Sequence, residues 1–135
     1  MRVSRKFFGG AGIFLLHVSF AFASNDHVPG MEDLNRAIVM DPNSVDSYYD
    51  RGILWQKQGD LTKAIADFTQ AIKIDPHDGE AYEGRANVYA SKNDLPQAIA
   101  DYSKALQLNP SSDWGIAART NLSLAQRQML ESEKK

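Results

Sequence analysis

The chain repeats itself at a fixed distance. "GDLTKAIADFTQAIKIDP" occupies residues 59–76, and "NDLPQAIADYSKALQLNP" follows 34 residues later at 93–110. Pro42, Pro76 and Pro110 stand 34 apart as well. Aligning residues 45–76 with 79–110 gives ten identities in 32 positions: Tyr48/Tyr82, Arg51/Arg85, Asp60/Asp94, Leu61/Leu95, Ala64/Ala98, Ile65/Ile99, Ala66/Ala100, Asp67/Asp101, Ala71/Ala105 and Pro76/Pro110. A unit this short cannot bury an apolar face by itself. A chain built of such units must stack them on one another.

Each unit divides into two helical halves. In the first, Tyr48, Gly52 and Trp55 recur at spacings of four and three, which is one face of a helix. "QGD" then interrupts it. Gly59 can take the left-handed backbone that ends a helix, and Asp60 can cap the next one. The second unit has "KND" there, and Asn is the commonest substitute for glycine in that conformation. The second half places Leu61, Ala64, Ile65, Phe68, Ala71 and Ile72 at helical spacing, and Pro76 stops it. Pro96 falls in the first turn of its helix, where a missing N–H does little harm. Small residues (Gly52/Ala86, Ala64/Ala98, Ala71/Ala105) alternate with large ones (Trp55/Tyr89, Phe68/Tyr102), which lets two helices of a hairpin approach closely.

Both units carry Y-x3-[GA]-x2-[WY]-x8-A-x3-[FY]-x2-A-x4-P. With its 34-residue period, this pattern resembles the tetratricopeptide repeat. Arg51 and Arg85 depart from the resemblance by standing where that family usually has Leu, and Ala86 by replacing its usual Gly. The resemblance implies an all-α fold, a right-handed α–α superhelix of about six antiparallel helices. Residues 30–42 match the second half of a unit, since Leu34, Ala37 and Pro42 fall 34 before Phe68, Ala71 and Pro76. Whole repeats are expected at 45–76 and 79–110. A closing helix is expected over 113–131, following the capping serines Ser111 and Ser112. Arg127 stands where that helix would need a glycine turn, so it should run on unbroken, with Trp114, Ala118, Leu122, Ala125 and Met129 facing the array. Residues 132–135 form a solvated tail.

The first 23 residues read as a signal peptide. Arg2, Arg5 and Lys6 precede a 16-residue apolar run, and "AFA" at 21–23 supplies the small residues of a cleavage site. Cleavage after Ala23 and export to a periplasm or outside the cell are the expectation, with residues 24–29 a flexible start. The run is short for a spanning helix. A retained membrane anchor is the alternative, and the only way this reading brings the protein to a membrane. Without the segment, 12 basic side chains face 17 acidic ones, so the charge moves from −2 to −5. An acidic balance argues against nucleic acid, which needs clustered Lys and Arg. No cysteine is present, so no disulfide framework or thiolate metal site is possible.

Catalytic chemistry has no foothold in the pattern. His27 and His77 lack a second ligand at metal spacing. "DPHDGE" at 75–80 lacks the alternating ligands of a calcium loop, and Asp78 is placed to cap a helix. The reading is of a non-enzyme with no cofactor, metal or small-molecule substrate.

Two periodic features remain. Asp33, Arg51, Asp67, Arg85, Asp101 and Arg119 alternate in sign along the chain, each type at 34-residue spacing. Pairing each Asp with the Arg 18 residues later, in the next repeat, uses all six and predicts structural rungs between repeats. A basic ligand-binding row is the alternative. The resemblance also implies a concave groove lined by the first helices. Its positions here are Asp46, Tyr49, Ile53, Gln56 and Lys57, then Glu80, Glu83, Asn87, Ala90 and Ser91, then Trp114, Ala117, Asn121 and Leu124. A groove that clamps a partner's terminal carboxylate would want basic or amide groups at Tyr49 and Glu83, and only Asn87 and Asn121 fit. The expected partner is therefore a protein, presenting a neutral or basic peptide or a helix, and the role is that of an exported adaptor, scaffold or assembly factor. A self-associating or membrane-tethered scaffold is the alternative, using Met31, Leu34 and Ile38 of the half-repeat.

Overall fold

The computed structural model describes residues 28–134. The signal segment expected over residues 1–23 lies outside the described residues. Within them the chain forms six helices: α1 (Met31–Met40), α2 (Val45–Lys57), α3 (Leu61–Ile74), α4 (Gly79–Ser91), α5 (Leu95–Leu108) and α6 (Asp113–Ser132). No helix among the described residues is long and apolar enough to cross a membrane.

Local chemistry sets the boundaries. Gly59 and Asn93 have φ of 81° and 60°, the left-handed turn between the two helices of each hairpin. The Asp60 carboxylate accepts from the Lys63 N–H at 3.1 Å, and that of Asp78 accepts from the N–H groups of Glu80 and Ala81. Ser44 and Ser112 cap α2 and α6 in the same way. Asp94 makes no such bond at the head of α5. Pro96, two residues on, has no N–H to give it. α6 continues through Arg127 without a break.

Neighbouring helices pack as hairpins, most closely α2 with α3 and α4 with α5, and α6 lies against α5. The even-numbered helices also touch one another, α2 with α4 and α4 with α6, while α1, α3 and α5 do not pack together. The stack is thus curved, with α2, α4 and α6 on its concave side. Phe68 is fully buried between the first two layers. A Cβ on Gly52 of α2 would stand 3.1 Å from its ring, and one on Gly84 of α4 only 2.8 Å. One repeat later Tyr102 fills the same place among Ala86, Ala98, Ala105 and Ala118. Glycine or alanine at these positions gives the aromatic its space.

Candidate functional site on the concave face

The inner helices bring part of the expected groove into one cleft. Gln56 of α2, Asn87, Ala90 and Ser91 of α4, and Asn121, Leu124, Ala125 and Gln128 of α6 line a space of about 370 Å³, with Tyr102 of α5 at its floor. That floor is a hydrogen-bonded network. The Tyr102 hydroxyl donates to Asn87 Oδ1 at 2.6 Å, and Asn121 Nδ2 donates to the same oxygen at 3.2 Å. Asn87 Nδ2 in turn donates to Glu83 Oε1 at 2.6 Å. The Asn87 side chain is therefore fixed by two donors and one acceptor before any partner arrives. Burial, and next to it the charge of Glu83, push the Tyr102 phenol up to about 12, against an opposing hydrogen bond with Asn121.

Other groove positions are spent on packing. The Tyr49 ring meets Phe68 edge to face at a centroid distance of 5.5 Å, and Ile53 packs on the same cluster. The sequence places Trp114 both among the residues that face the array and among the groove positions, and the structure gives it the first role. It packs against the second core cluster and lies over Gly79, where a Cβ would clash with the indole ring. The absent side chain at Gly79 makes a slot, and the large apolar ring fills it. Lys57 is exposed at the end of α2, while Asp46, Glu80 and Glu83 are half-buried along α2 and α4.

The periodic composition and the curved stack of helix pairs point to one family. A family model described as the tetratricopeptide repeat matches residues 19–86, and a second of the same description matches 79–112. The chain belongs to the tetratricopeptide repeat family. No curated protein matches it. Among solved structures it is similar to the first tetratricopeptide domain of Spaghetti (RPAP3), bound to the HSP90 peptide SRMEEVD, with a TM-score of 0.69 and 18% identity over 74% of this chain and 77% of that one. It is also similar to the tetratricopeptide domain of Arabidopsis OM64, with a TM-score of 0.63 and 25% identity over 69% and 77%. As a tetratricopeptide repeat domain it is a protein–protein interaction module of a typically non-catalytic fold.

The charged rungs of this tetratricopeptide array differ from the expected register. Arg51 pairs with Asp67 and Arg85 with Asp101, both at 2.7 Å, so the ion pairs lie 16 residues apart within a hairpin, not 18 apart between repeats. Each arginine grips its carboxylate with two nitrogens, Nε and Nη2. Across the hairpin the two helices present Arg and Asp directly to one another, and this bidentate geometry decides the pairing. The third nitrogen does reach the preceding repeat, but to neutral acceptors: Arg51 Nη1 donates to Asn35 Oδ1 at 2.8 Å and Arg85 Nη1 to Thr69 Oγ1 at 3.0 Å. Asn35 and Thr69 are themselves 34 apart, a signal that was present in the sequence and overlooked.

The ends of the ladder fall outside it. Asp33 accepts from the Gly30 N–H at 3.0 Å and lies 3.9 Å from Arg36, while Arg119 is exposed and makes no ion pair among the described residues. The hydrogen bond to Asp67 raises the Arg51 pKa against the cost of burial. For Arg85 burial is the largest influence and lowers the pKa, but the bond to Asp101 and its charge outweigh it, so the group titrates above its ordinary value. Both guanidiniums are enclosed between helices and do not form a basic ligand-binding row.

Tyr102 and Gln128 are cleft residues that sequence reasoning missed. Tyr102 occupies the core position of Phe68, and its added hydroxyl is the one hint that this ring reaches a polar site. Gln128 enters the cleft because α6 runs on unbroken past Arg127, as its sequence leads one to expect.

Proposed function

We propose that the chain is an exported adaptor or assembly factor that holds a neutral or basic peptide, or a helix, in the cleft between α2, α4 and α6. The observation that carries this is the pre-set polar floor of the cleft. A peptide backbone laid along it meets oriented amide groups at no further ordering cost. Gln56 and Gln128 offer amides at the rim, and Leu124, half-exposed, offers apolar contact. The charge along α2 and α4 supports the choice of partner. Asp46, Glu80 and Glu83 disfavour an acidic chain end such as that of the peptide bound by the Spaghetti domain, whereas a lysine- or arginine-bearing segment is attracted to them.

An array of immobilised peptides probed with the full chain tests this reading. Basic and neutral peptides should be retained and acidic ones not. Leu124→Ser, which removes the apolar contact without adding charge, should weaken retention several-fold with thermal stability unchanged, because Leu124 is 50% exposed. Retention untouched by that substitution would remove the cleft from consideration. Export rests on the basic-then-apolar start and the small residues at 21–23. It is checked by the first residue of the protein recovered outside the cytoplasm, Ser24 on this reading.

A further inference from the structure

The outer face of α6 repeats a surface that is covered everywhere else in the stack. Counting back 34 residues, Ile116, Arg119, Thr120 and Ser123 stand where α4 has Tyr82, Arg85, Ala86 and Tyr89. That face of α4 is covered by α5, as the same face of α2 is by α3. In both hairpins the arginine takes an Asp from the covering helix with two hydrogen bonds. α6 packs on α5 and α4, and no other helix among the described residues packs on it.

Two features of that surface are kept, the arginine and an apolar residue, Ile116, at the position of Tyr82. Arg119 is exposed. The hydroxyl of Ser103, which occupies the position of Asn35 and Thr69 one repeat on, does not receive it but donates to the Ile99 carbonyl at 2.7 Å. Ile116 and Leu130 are 52% and 58% exposed. Residues 116, 119/120, 123, 127 and 130 fall on one stripe of a helix. The stripe reads Ile, Arg and Thr, Ser, Arg, Leu, so two exposed apolar residues flank a positively charged centre.

We propose that α6 receives an amphipathic helix from a partner protein, and that an Asp or Glu of that helix closes the Arg119 fork as Asp67 and Asp101 close those of Arg51 and Arg85. The occupant has stated chemistry. It carries a small residue, then an acid three positions later, a large apolar residue next, and a small residue four positions after the acid, as in Ala98, Asp101, Tyr102 and Ala105 of α5. Two facts select it. The positive charge of Arg119 on this stripe, unpaired among the described residues, calls for a carboxylate placed opposite it on the occupant. The two complete hairpins of the same chain show the geometry in which such a helix is held. This face lies away from the cleft, and its occupation does not depend on what the cleft binds.

The test uses the full chain and a fluorescent peptide with the sequence of residues 95–108, held helical by a covalent link between positions 103 and 107, both exposed in α5. Saturable binding is expected. It should weaken about tenfold with Arg119→Gln in the protein or Asp101→Asn in the peptide, the loss expected for a charge-assisted bidentate pair. Arg119→Asp with a peptide carrying Asp101→Arg should recover most of it. The melting temperature of each protein variant should stay unchanged, since Arg119 is exposed. No saturable binding, or binding indifferent to Arg119, overturns the proposal. So does a concentration-dependent dimer of the chain that Arg119→Gln abolishes, because the occupant would then be a second copy.

Discussion

Tyr102 joins packing and recognition at a single position. Its ring is only 2% exposed and fills the core of the second repeat, while its hydroxyl orients Asn87 in the cleft. The neutral phenol is the form this site holds, and a pKa raised to about 12 has a definite sign. A free tyrosine ionises near 10. Between about pH 10 and 12 the unfolded chain loses this proton and the folded chain keeps it. Stability from this group is therefore complete below pH 10 and declines as pH rises through 12. Alkaline denaturation of the wild type and of Tyr102→Phe checks this. The variant should be less stable by about 1 kcal/mol at neutral pH, for the lost hydrogen bond, and should lose less stability between pH 10 and 12. At this scale the sequence was only partly legible. A Tyr at a Phe position announces a hydroxyl but not its partner. The helical spacing turns Trp114 toward the array, as observed, but nothing local says that Gly79 opens the slot it fills.

Elements were more legible than residues, because their signals are local. Gly59 and Asn93, Asp60 and Asp78, and Pro96 each act within a turn of their own position. The charged rungs are not local, and there counting misled. Pairing Asp with the Arg 18 later satisfies all six residues on paper. Facing geometry across the hairpin instead selects 16, and leaves Asp33 and Arg119 to other surroundings. The consequence for α4 and α5 is measurable. Arg85→Leu strips the partner from Asp101, whose side chain is only 10% exposed, and should cost about 3–5 kcal/mol in urea unfolding. Arg85→Leu with Asp101→Leu should recover most of that loss, because it leaves no buried charge behind. A double variant no better than the single would show that the pair stabilises the hairpin beyond avoiding an orphaned charge.

For the whole molecule, the 34-residue period fixes the order of the stack and its antiparallel hairpins. It is silent on the cleft, which depends on residues the repeats do not share. Stability should be graded along the stack, since each layer contacts only its neighbours. α1 packs on α2, whereas α3, α4 and α5 are enclosed on both sides. Amide hydrogen exchange should therefore be slowest in α3 to α5 and fastest in α1 and the last turns of α6. Uniform exchange would mean that the array opens as one unit. The spacing of the helices has a mechanical side as well. The outer helices α1, α3 and α5 do not pack on one another, so flexing the stack costs few contacts on its convex side. The inner helices touch in sequence, and the Asn121–Asn87 bond ties α6 to α4 across the cleft. The domain is thus built like a leaf spring with a latch. A small change in the angle between layers would alter the cleft, and the Asn121–Asn87 bond adds to the packing of α6 on α4 and α5 that opposes it.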